Sequence, residues 1–238
     1  MENKTVEILM AALAVNGIKL TESQIHKFSL YTVHLLKVNS TMNLTAVTDP
    51  KGIAIKHYYD SILPFLKLSL QGGETILDIG SGAGFPAIPL KIAMPELNIT
   101  MADSLNKRVL FLRECIELLE LKNARAIHTR AEDIPFDMRE GFDIVTARAV
   151  APLNILCEYS LPFVKKGGRL IALKGQKGEQ ELKQAKRCIS ILGGEFTQHL
   201  SFELPESMGN RQIYVITKIS QTPTQYPRKA VDIKKKPL

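Results

Sequence analysis

The sequence predicts an α/β fold built around one doubly wound, mainly parallel sheet of seven strands, and two observations support this prediction. Short apolar runs alternate with helical patterns from residue 74 to about residue 192. Two further strand-like runs, 196–204 and 211–219, follow and are joined by a short turn. Alternating strands and helices are typical of a parallel sheet. The two final strands are expected to form an antiparallel hairpin at its edge.

The elements of the alternating region can be assigned in order from the spacing of apolar residues. The strands before the final hairpin are expected at 74–79, 98–103, 126–130, 142–147 and 169–174. The helices that connect them are expected at 86–94, 105–121, 152–163 and 178–192.

Residues 1–70 contain no predicted strand, and we expect them to form a helical cap on the sheet. The segment Thr21-Glu-Ser-Gln24 has the form of a capping box at the start of a long helix. The polar residues 39–45 predict a loop. Asp49-Pro50 predicts the start of another helix, which is expected to end before Pro64.

Composition places the chain among ordinary globular proteins. Of its 238 residues, 45% are hydrophobic and 23% are charged, which suits one α/β domain with a small additional element. No apolar run approaches the roughly 18 residues of a membrane span, and the N-terminus lacks the pattern of a secretory signal. The three cysteines form no CxxC motif, so neither a metal site nor a disulfide framework is expected. We therefore expect a cytoplasmic protein.

The net charge of +7 is unevenly distributed along the chain. Residues 71–204 are neutral, whereas residues 205–238 carry seven Lys or Arg against two Asp or Glu. We expect a helical cap over 1–70, a cofactor-binding domain over 71–220 and a loosely ordered basic tail over 221–238. Such a tail is either a solvated end or a contact for a polyanion.

Three glycines at alternate positions follow the first strand, namely Gly80, Gly82 and Gly84. Asp103 ends the second strand, where a carboxylate can accept hydrogen bonds from ribose hydroxyls. Each feature also has an ordinary structural explanation. The glycines could form a tight corner, and Asp103 or Ser104 could cap a helix. Together, however, they favour a cofactor that contains adenosine.

Two such cofactors, NAD and S-adenosylmethionine, can be distinguished by the last position of the turn. The dinucleotide pattern G-x-G-x-x-G requires glycine where this chain has Phe85. S-adenosylmethionine has no pyrophosphate, and the pattern G-x-G-x-G preceded by Asp78 suits it better. The loop Arg130-Ala131-Glu132-Asp133 follows the third strand, where adenine is expected, although it also fits an exposed acidic loop. These observations favour S-adenosylmethionine.

Several motifs occur together in an order that resembles one family. They are Asn43-Leu44-Thr45, His57 with Asp60-Ser61, Asp78 to Pro86, Asp103 to Arg108 followed by Phe111-Leu112, Arg130 to Glu132, Phe142 to Ala149, Lys174-Gly175 and Tyr226 to Lys229. With these motifs the chain resembles the ribosomal RNA small-subunit methyltransferase G family, also called glucose-inhibited division protein B, over nearly its whole length. The resemblance implies a class I S-adenosylmethionine-dependent methyltransferase fold. It also implies formation of 7-methylguanosine in the 530 loop of 16S rRNA.

The resemblance and the glycine pattern together predict the residues that hold the methyl donor, whose product is S-adenosylhomocysteine. These are Gly80, Gly82, Gly84, Phe85, Asp103, Ser104, Ala131, Glu132 and Arg148. Arg148 is also the residue expected at the reacting groups, where it could hold the guanine edge, the donor carboxylate or a phosphate. Its alternative role is a helix cap or a salt bridge. No general base is expected, because guanine N7 carries a free lone pair.

Four basic residues are expected to contact RNA, because phosphates require cations: Lys174, Arg211, Arg228 and Lys229. The expected partner is 16S rRNA or the small ribosomal subunit, bound by a monomer without a metal or a membrane. The basic tail is expected to serve RNA binding and not donor binding. Two other functions share this fold: methylation of a protein or small molecule, and donor binding by a ribosome-associated module without catalysis.

Overall fold

A computed structural model describes residues 2–175 and 178–238. Its seven-stranded sheet has the order β3-β2-β1-β4-β5-β7-β6. The strands are β1 (Thr75–Ile79), β2 (Asn98–Asp103), β3 (Ala124–His128), β4 (Phe142–Arg148), β5 (Val164–Lys174), β6 (Gly194–Glu203) and β7 (Asn210–Lys218). The first five strands are parallel, and β7 runs antiparallel to both β5 and β6. The predicted fold class is confirmed, and β7 lies inside the sheet while β6 forms the edge.

Nine α-helices surround the sheet in the part of the chain that the structure describes. They are α1 (Glu2–Ala14), α2 (Glu22–Met42), α3 (Pro50–Gly52), α4 (Asp60–Lys67), α5 (Ala87–Ala93), α6 (Asn106–Leu118), α7 (Leu153–Ser160), α8 (Gly178–Ile191) and α9 (Ala230–Lys235). A π-helical segment, Ile53–Tyr59, joins α3 to α4. No helix among the described residues is long and apolar enough to cross a membrane.

The predicted helix starts in the N-terminal region are confirmed by their caps. The Thr21 hydroxyl accepts a hydrogen bond from the Gln24 backbone, and the Gln24 side chain accepts one from the Thr21 backbone, which completes the capping box. The Asp49 carboxylate accepts a hydrogen bond from the Gly52 N–H at 2.7 Å. These side chains satisfy N–H groups that lack partners within their helices.

Two predictions about helix ends were wrong. Helix α2 continues to Met42 and stops only at Asn43, which adopts a left-handed φ of 50° and donates its N–H to the Asn39 carbonyl. Asparagine tolerates this conformation, so the polar residues before it remain helical. Pro64 lies inside α4 rather than beyond a helix end. The π-helical segment directly before α4 changes the hydrogen-bond spacing locally, as often happens where helices are irregular.

Alternating residues of the strands build two hydrophobic clusters, one on each face of the sheet. Ile76, Ile144 and Ile171 belong to the first cluster, which also contains the buried side chains of α1, α2 and α4. Leu77 and Val145 belong to the second cluster, which contains the buried side chains of α7 and α8. The N-terminal helices therefore pack directly on one face of the sheet.

The last eighteen residues are folded against the sheet domain, which corrects the expectation of a loosely ordered tail. Thr222, Tyr226 and Ile233 are buried, and Tyr226 belongs to the second hydrophobic cluster. The basic composition that suggested a solvated end is concentrated in side chains around these buried residues. Sequence patterns that contain only two or three apolar positions give too weak a signal to predict such docking.

Candidate functional site

The glycine turn follows β1 directly, and its backbone requires glycine. Gly80, Gly82 and Gly84 all have positive φ, of 72°, 59° and 94°, in a region that side chains rarely adopt. A Cβ atom on Gly84 would lie 2.4 Å from Ile88 Cδ1. Gly84 thus allows the turn to approach the next helix closely, while a Cβ atom on Gly82 would meet only the Gly80 carbonyl oxygen, 3.9 Å away.

Asp103 closes the turn from the neighbouring strand. Its Oδ2 accepts a hydrogen bond from the Gly82 N–H, and its Oδ1 accepts one from the Leu105 N–H, each at 2.9 Å. Asp103 therefore holds the glycine turn and the residue before α6, but neither it nor Ser104 is the N-cap of α6, because that position is Leu105. Each carboxylate oxygen has two lone pairs, so both can still accept a ribose hydroxyl.

Two cavities meet at this turn. The glycine-turn cavity, about 460 Å³, is lined by Gly80, Gly82, Phe85, Asp103, Ser104 and Arg148 among others. The β2–β3 cavity, about 440 Å³, is lined by Gly80, Asp103, Ser104, Ala131 and Glu132 among others. The structure thus brings together every residue predicted for the donor except Gly84, which lines neither cavity and supports the turn.

Asp78, in β1, is a functional candidate that the site prediction omitted. Its side chain is fully buried and makes no hydrogen bond of ordinary geometry with the residues that the structure describes, although the Ser81 side chain and the Ala87 backbone favour its ionised form. Burial raises the pKa of Asp78 to about 7. A buried, unpartnered carboxylate beside a glycine turn is costly without a ligand. The position of Asp78 before G-x-G-x-G was the available signal.

Phe85 lies at the centre of an aromatic group beneath the glycine-turn cavity. The His57 ring stacks on it with 4.3 Å between centroids, and Arg148 Cζ lies 4.9 Å from its centroid. The Tyr31 and Tyr58 rings pack at its other sides. These contacts fix Phe85 between the N-terminal helices and the guanidinium of Arg148.

His57 is neutral at physiological pH, and both ring nitrogens are engaged. The Val47 N–H donates to the Thr45 hydroxyl oxygen, which leaves the hydroxyl proton free to donate to His57 Nε2, 2.8 Å away. His57 Nδ1 then donates to the Lys56 carbonyl. Burial, with Arg148 as the second cause, lowers the pKa of His57 to about 4. The His57 ring therefore stacks on Phe85 as a neutral imidazole with a low affinity for protons.

A third cavity of about 640 Å³, here called the β5 cavity, adjoins the glycine-turn cavity. It is lined by Lys56, His57, Asp60, Arg148, Lys174, Gly175, Glu181 and Arg211 among others. The two cavities share His57, Arg148, Ala149 and Val150. Arg148 thus stands where the glycine-turn cavity meets a second cavity that several charged side chains line.

Asp60 holds two arginines at this junction. Arg211 Nε lies 2.8 and 2.9 Å from its two oxygens, and Arg148 Nη1 lies 3.4 Å from Oδ2. Burial raises the pKa of the Asp60 carboxyl, and both guanidinium groups oppose this rise. Burial likewise lowers the pKa of Arg148. The salt-bridge alternative for Arg148 is therefore realised, and Arg148 also lines the glycine-turn cavity.

The four residues expected to contact RNA occupy different places. Lys174 and Arg211 line the β5 cavity, whereas Arg228 and Lys229 line none of the three cavities. Lys174 is not simply exposed at a strand end, because its ammonium donates to the Ala151 carbonyl and lies 2.8 Å from Glu181. Arg228 is bound by the buried Glu158 carboxylate. Lys229 is exposed.

The irregular helix between α3 and α4 positions Lys56 and His57, both of which line the β5 cavity. π-Helical turns occur often at functional sites. Periodicity alone did not predict this segment, because its apolar residues also fit an ordinary helix. Within residues 2–175 and 178–238, no group of three or more His, Cys, Asp or Glu side chains could hold a metal ion.

Comparison with known proteins agrees with this geometry. The family model described as rRNA small subunit methyltransferase G matches residues 24–213. Proteins named ribosomal RNA small subunit methyltransferase G from Staphylococcus aureus strains Newman and USA300 are each 48% identical over 235 residues. The matched segment covers 98% of this chain and 98% of each relative.

Solved structures of lower identity share the fold. The YcgJ protein of Bacillus subtilis has a TM-score of 0.53 at 14% identity, over 70% of this chain and 100% of that one. TYW2 of P. horikoshii, solved in complex with MeSAdo, has a TM-score of 0.53 at 16% identity, over 67% of this chain and 61% of that one. With the family match, these findings identify an S-adenosylmethionine-dependent methyltransferase. The chain belongs to the rRNA small subunit methyltransferase G family.

Proposed function

We propose that this chain transfers the methyl group of S-adenosylmethionine to N7 of a guanine in the 530 loop of 16S rRNA, and that it does so as a cytoplasmic monomer. The observation that carries the proposal is the junction of two cavities at Arg148. One cavity adjoins the glycine turn, and the other is lined by the cations Lys56, Lys174 and Arg211 among others. A methyl donor and an anionic acceptor can meet at such a junction.

The residues around the glycine turn fit S-adenosylmethionine. The buried Asp78 carboxylate lacks a hydrogen bond of ordinary geometry among the described residues, and from beneath the glycine turn it would attract the ammonium group of the donor. Gly82 leaves open the space that any side chain would fill. Asp103 would accept the ribose hydroxyls, and Glu132 would accept a hydrogen bond from the adenine edge.

The β5 cavity would receive the target guanine and its neighbouring phosphates. Lys56, Lys174, Arg148 and Arg211 outnumber the two carboxylates of this cavity, so its charge favours a polyanion. His57 and Phe85 form a flat, rigid base beneath the junction. Flat side chains and cations together are typical of sites for unstacked RNA bases.

Catalysis in this proposal depends on alignment. The bound donor supplies an electrophilic methyl group on a sulfonium. The lone pair of guanine N7 would form the new bond to this carbon as the carbon–sulfur electron pair leaves with sulfur, so the chain's residues would not have to remove a proton. The chain contributes by fixing Arg148 through Asp60 and Phe85, and by keeping His57 neutral. Orientation of this kind can lower a barrier by several kcal/mol.

The test is incubation with a donor labelled in its methyl group and with 30S subunits or naked 16S rRNA from cells that lack the modification. We expect label in 16S rRNA, recovered as 7-methylguanosine from a 530-loop fragment by nuclease digestion and mass spectrometry. The Gly82→Arg variant serves as the negative control.

Label in a ribosomal protein, or in no macromolecule while calorimetry shows donor binding, would reject the proposal. The first result would favour a protein methyltransferase, and the second a donor-binding module. Comparison of the two RNA substrates would also decide between naked rRNA and an assembled particle.

A further inference from the structure

The C-terminal segment, residues 221–238, is held to the sheet domain by polar contacts at its first half. The Arg139 guanidinium donates hydrogen bonds to the carbonyls of Thr222, Pro223 and Tyr226. The Thr222 N–H donates in turn to the Glu140 carboxylate at 2.9 Å. The half-buried Arg139 therefore binds three backbone carbonyls of the segment and fixes the path of the chain there.

Glu158 provides the strongest anchor. Its side chain is 1% exposed, and it accepts hydrogen bonds from the Arg228 backbone N–H at 3.0 Å, from Nε at 2.8 Å and from Nη2 at 2.6 Å. A buried carboxylate of this kind requires its partner, because an unpaired charge inside a protein is strongly destabilising. The C-terminal segment is thus an integral part of the fold and not a detached tail.

This anchor lies beside the β2–β3 cavity. Ile155 and Tyr159, on the same helix as Glu158, line that cavity. Helix α9 lines it too, through Ala230 and Lys234. These two residues are four apart and lie on one helix face. Ile233, between them in sequence, is fully buried and attaches α9 to the domain.

We infer that α9 forms one wall of the donor site and packs against the adenosine part of S-adenosylmethionine. Adenosine is uncharged, so contact with Lys234 would involve the four-carbon stem of this exposed residue while its ammonium stays in water. This inference deepens the proposed function and rests on it, because it assumes that the donor occupies the two cavities at the glycine turn. It replaces the expectation that the basic tail serves RNA alone.

The inference is tested by calorimetric titration of S-adenosylhomocysteine into the full chain and four variants. Deletion of residues 229–238 is expected to raise the donor Kd at least about tenfold, because a wall of the site is lost. Lys234→Ala is expected to raise it about fivefold, whereas Lys234→Met keeps the stem and stays within about twofold. Lys236→Ala is the matched control from the same tail, since it lines no part of the cavity, and its Kd is expected to be unchanged.

Unchanged donor affinity in the deletion variant and in Lys234→Ala, with wild-type thermal melting, would overturn the inference. Loss of rRNA affinity in those variants and in Lys234→Met would then identify an RNA arm. If the deletion prevents folding, the Lys234 variants decide alone. The Gly82→Arg variant tells whether the inference about α9 alone is wrong or the proposed donor site is wrong as well. If Gly82→Arg also retains affinity, then the donor lies elsewhere.

Discussion

Arg148 Nη1 lies 3.4 Å from Asp60 Oδ2, on the same carboxylate whose two oxygens share the N–H of Arg211 Nε. Asp60 begins α4, Arg148 ends β4 and Arg211 lies near the start of β7. One buried carboxylate from the N-terminal helices thus fixes two cations that line the β5 cavity. Residues of both the N-terminal helices and the sheet therefore line this cavity.

Replacement of Asp60 by Asn is expected to release both arginines, while the glycine turn and Asp103 keep their positions. We expect kcat/KM for rRNA methylation to fall roughly 10- to 100-fold, because the aligned geometry is lost. The free energy of unfolding should fall by about 2 kcal/mol, since two guanidinium groups lose their charged partner. Donor Kd should change less than about threefold.

Asp143→Asn is the matched control for this experiment. Asp143 pairs with Lys165 and Thr75 near the opposite end of the sheet, away from the β5 cavity. Its variant should lose stability and keep wild-type kcat/KM. Equal losses of activity in both variants would show that Asp60 acts only through stability.

The pKa of Asp78, raised by burial to about 7, predicts that donor affinity depends on pH. If the ionised carboxylate binds the donor ammonium, binding requires loss of the Asp78 proton below pH 7. The Kd of S-adenosylhomocysteine should then fall about fivefold as the pH rises from 6 to 7. Asp78→Asn should bind weakly and without this dependence. A pH-independent Kd in the wild-type chain would contradict the role of Asp78.

The same shift predicts the direction of a stability change in the protein without donor. Because the folded pKa of Asp78 lies above the unfolded value of 3.8, the folded state binds more protons between pH 4 and pH 7. The contribution of Asp78 to stability therefore decreases as the pH rises through this interval. In chemical denaturation, the free energy of unfolding of the wild-type chain should be lower at pH 7 than at pH 5. This decrease should be smaller in Asp78→Asn.

Gly82→Arg is expected to abolish donor binding and methylation, because the side chain would fill the glycine-turn cavity. The control is Gly17→Arg. Gly17 also has positive φ, with no atom within 4 Å of its Cβ position, and it lies in the loop after α1. Both variants should lose about 1 kcal/mol of stability from backbone strain. Measurable donor affinity in Gly82→Arg would mean that the donor binds elsewhere.

The Tyr31 hydroxyl donates to the Ala83 carbonyl at 2.5 Å and so connects α2 to the glycine turn. Tyr31→Phe should raise the donor Kd by about threefold and lower the free energy of unfolding by about 1 kcal/mol. Tyr58→Phe is the control, because the equally buried Tyr58 hydroxyl pairs with Thr32 and not with the turn. It should lose stability without loss of donor affinity. Calorimetry on both variants distinguishes a positioning role from a structural one.

Local patterns in the sequence were sufficient for most of the secondary structure and for the donor turn. Strand β2 occupies 98–103 as predicted, because this segment is rich in β-branched and apolar residues and has clear turn signals on both sides. The glycine turn and the acidic end of β2 are adjacent in any parallel sheet of this order, so their proximity follows from topology. The residues predicted for the donor therefore meet, apart from Gly84.

By itself, the sequence determined the α/β class, the donor turn and the family, since each depends on neighbouring residues or on motif order. The tertiary structure decided which charges are free and which are paired. Asp60 with Arg211, and Glu158 with Arg228, are 151 and 70 residues apart. Such pairs form only because packing brings distant segments together and because a buried carboxylate requires a cation. For that reason Lys174, Arg211 and Arg228, which looked available for RNA in the sequence, are engaged in the folded protein, whereas Lys229 is exposed.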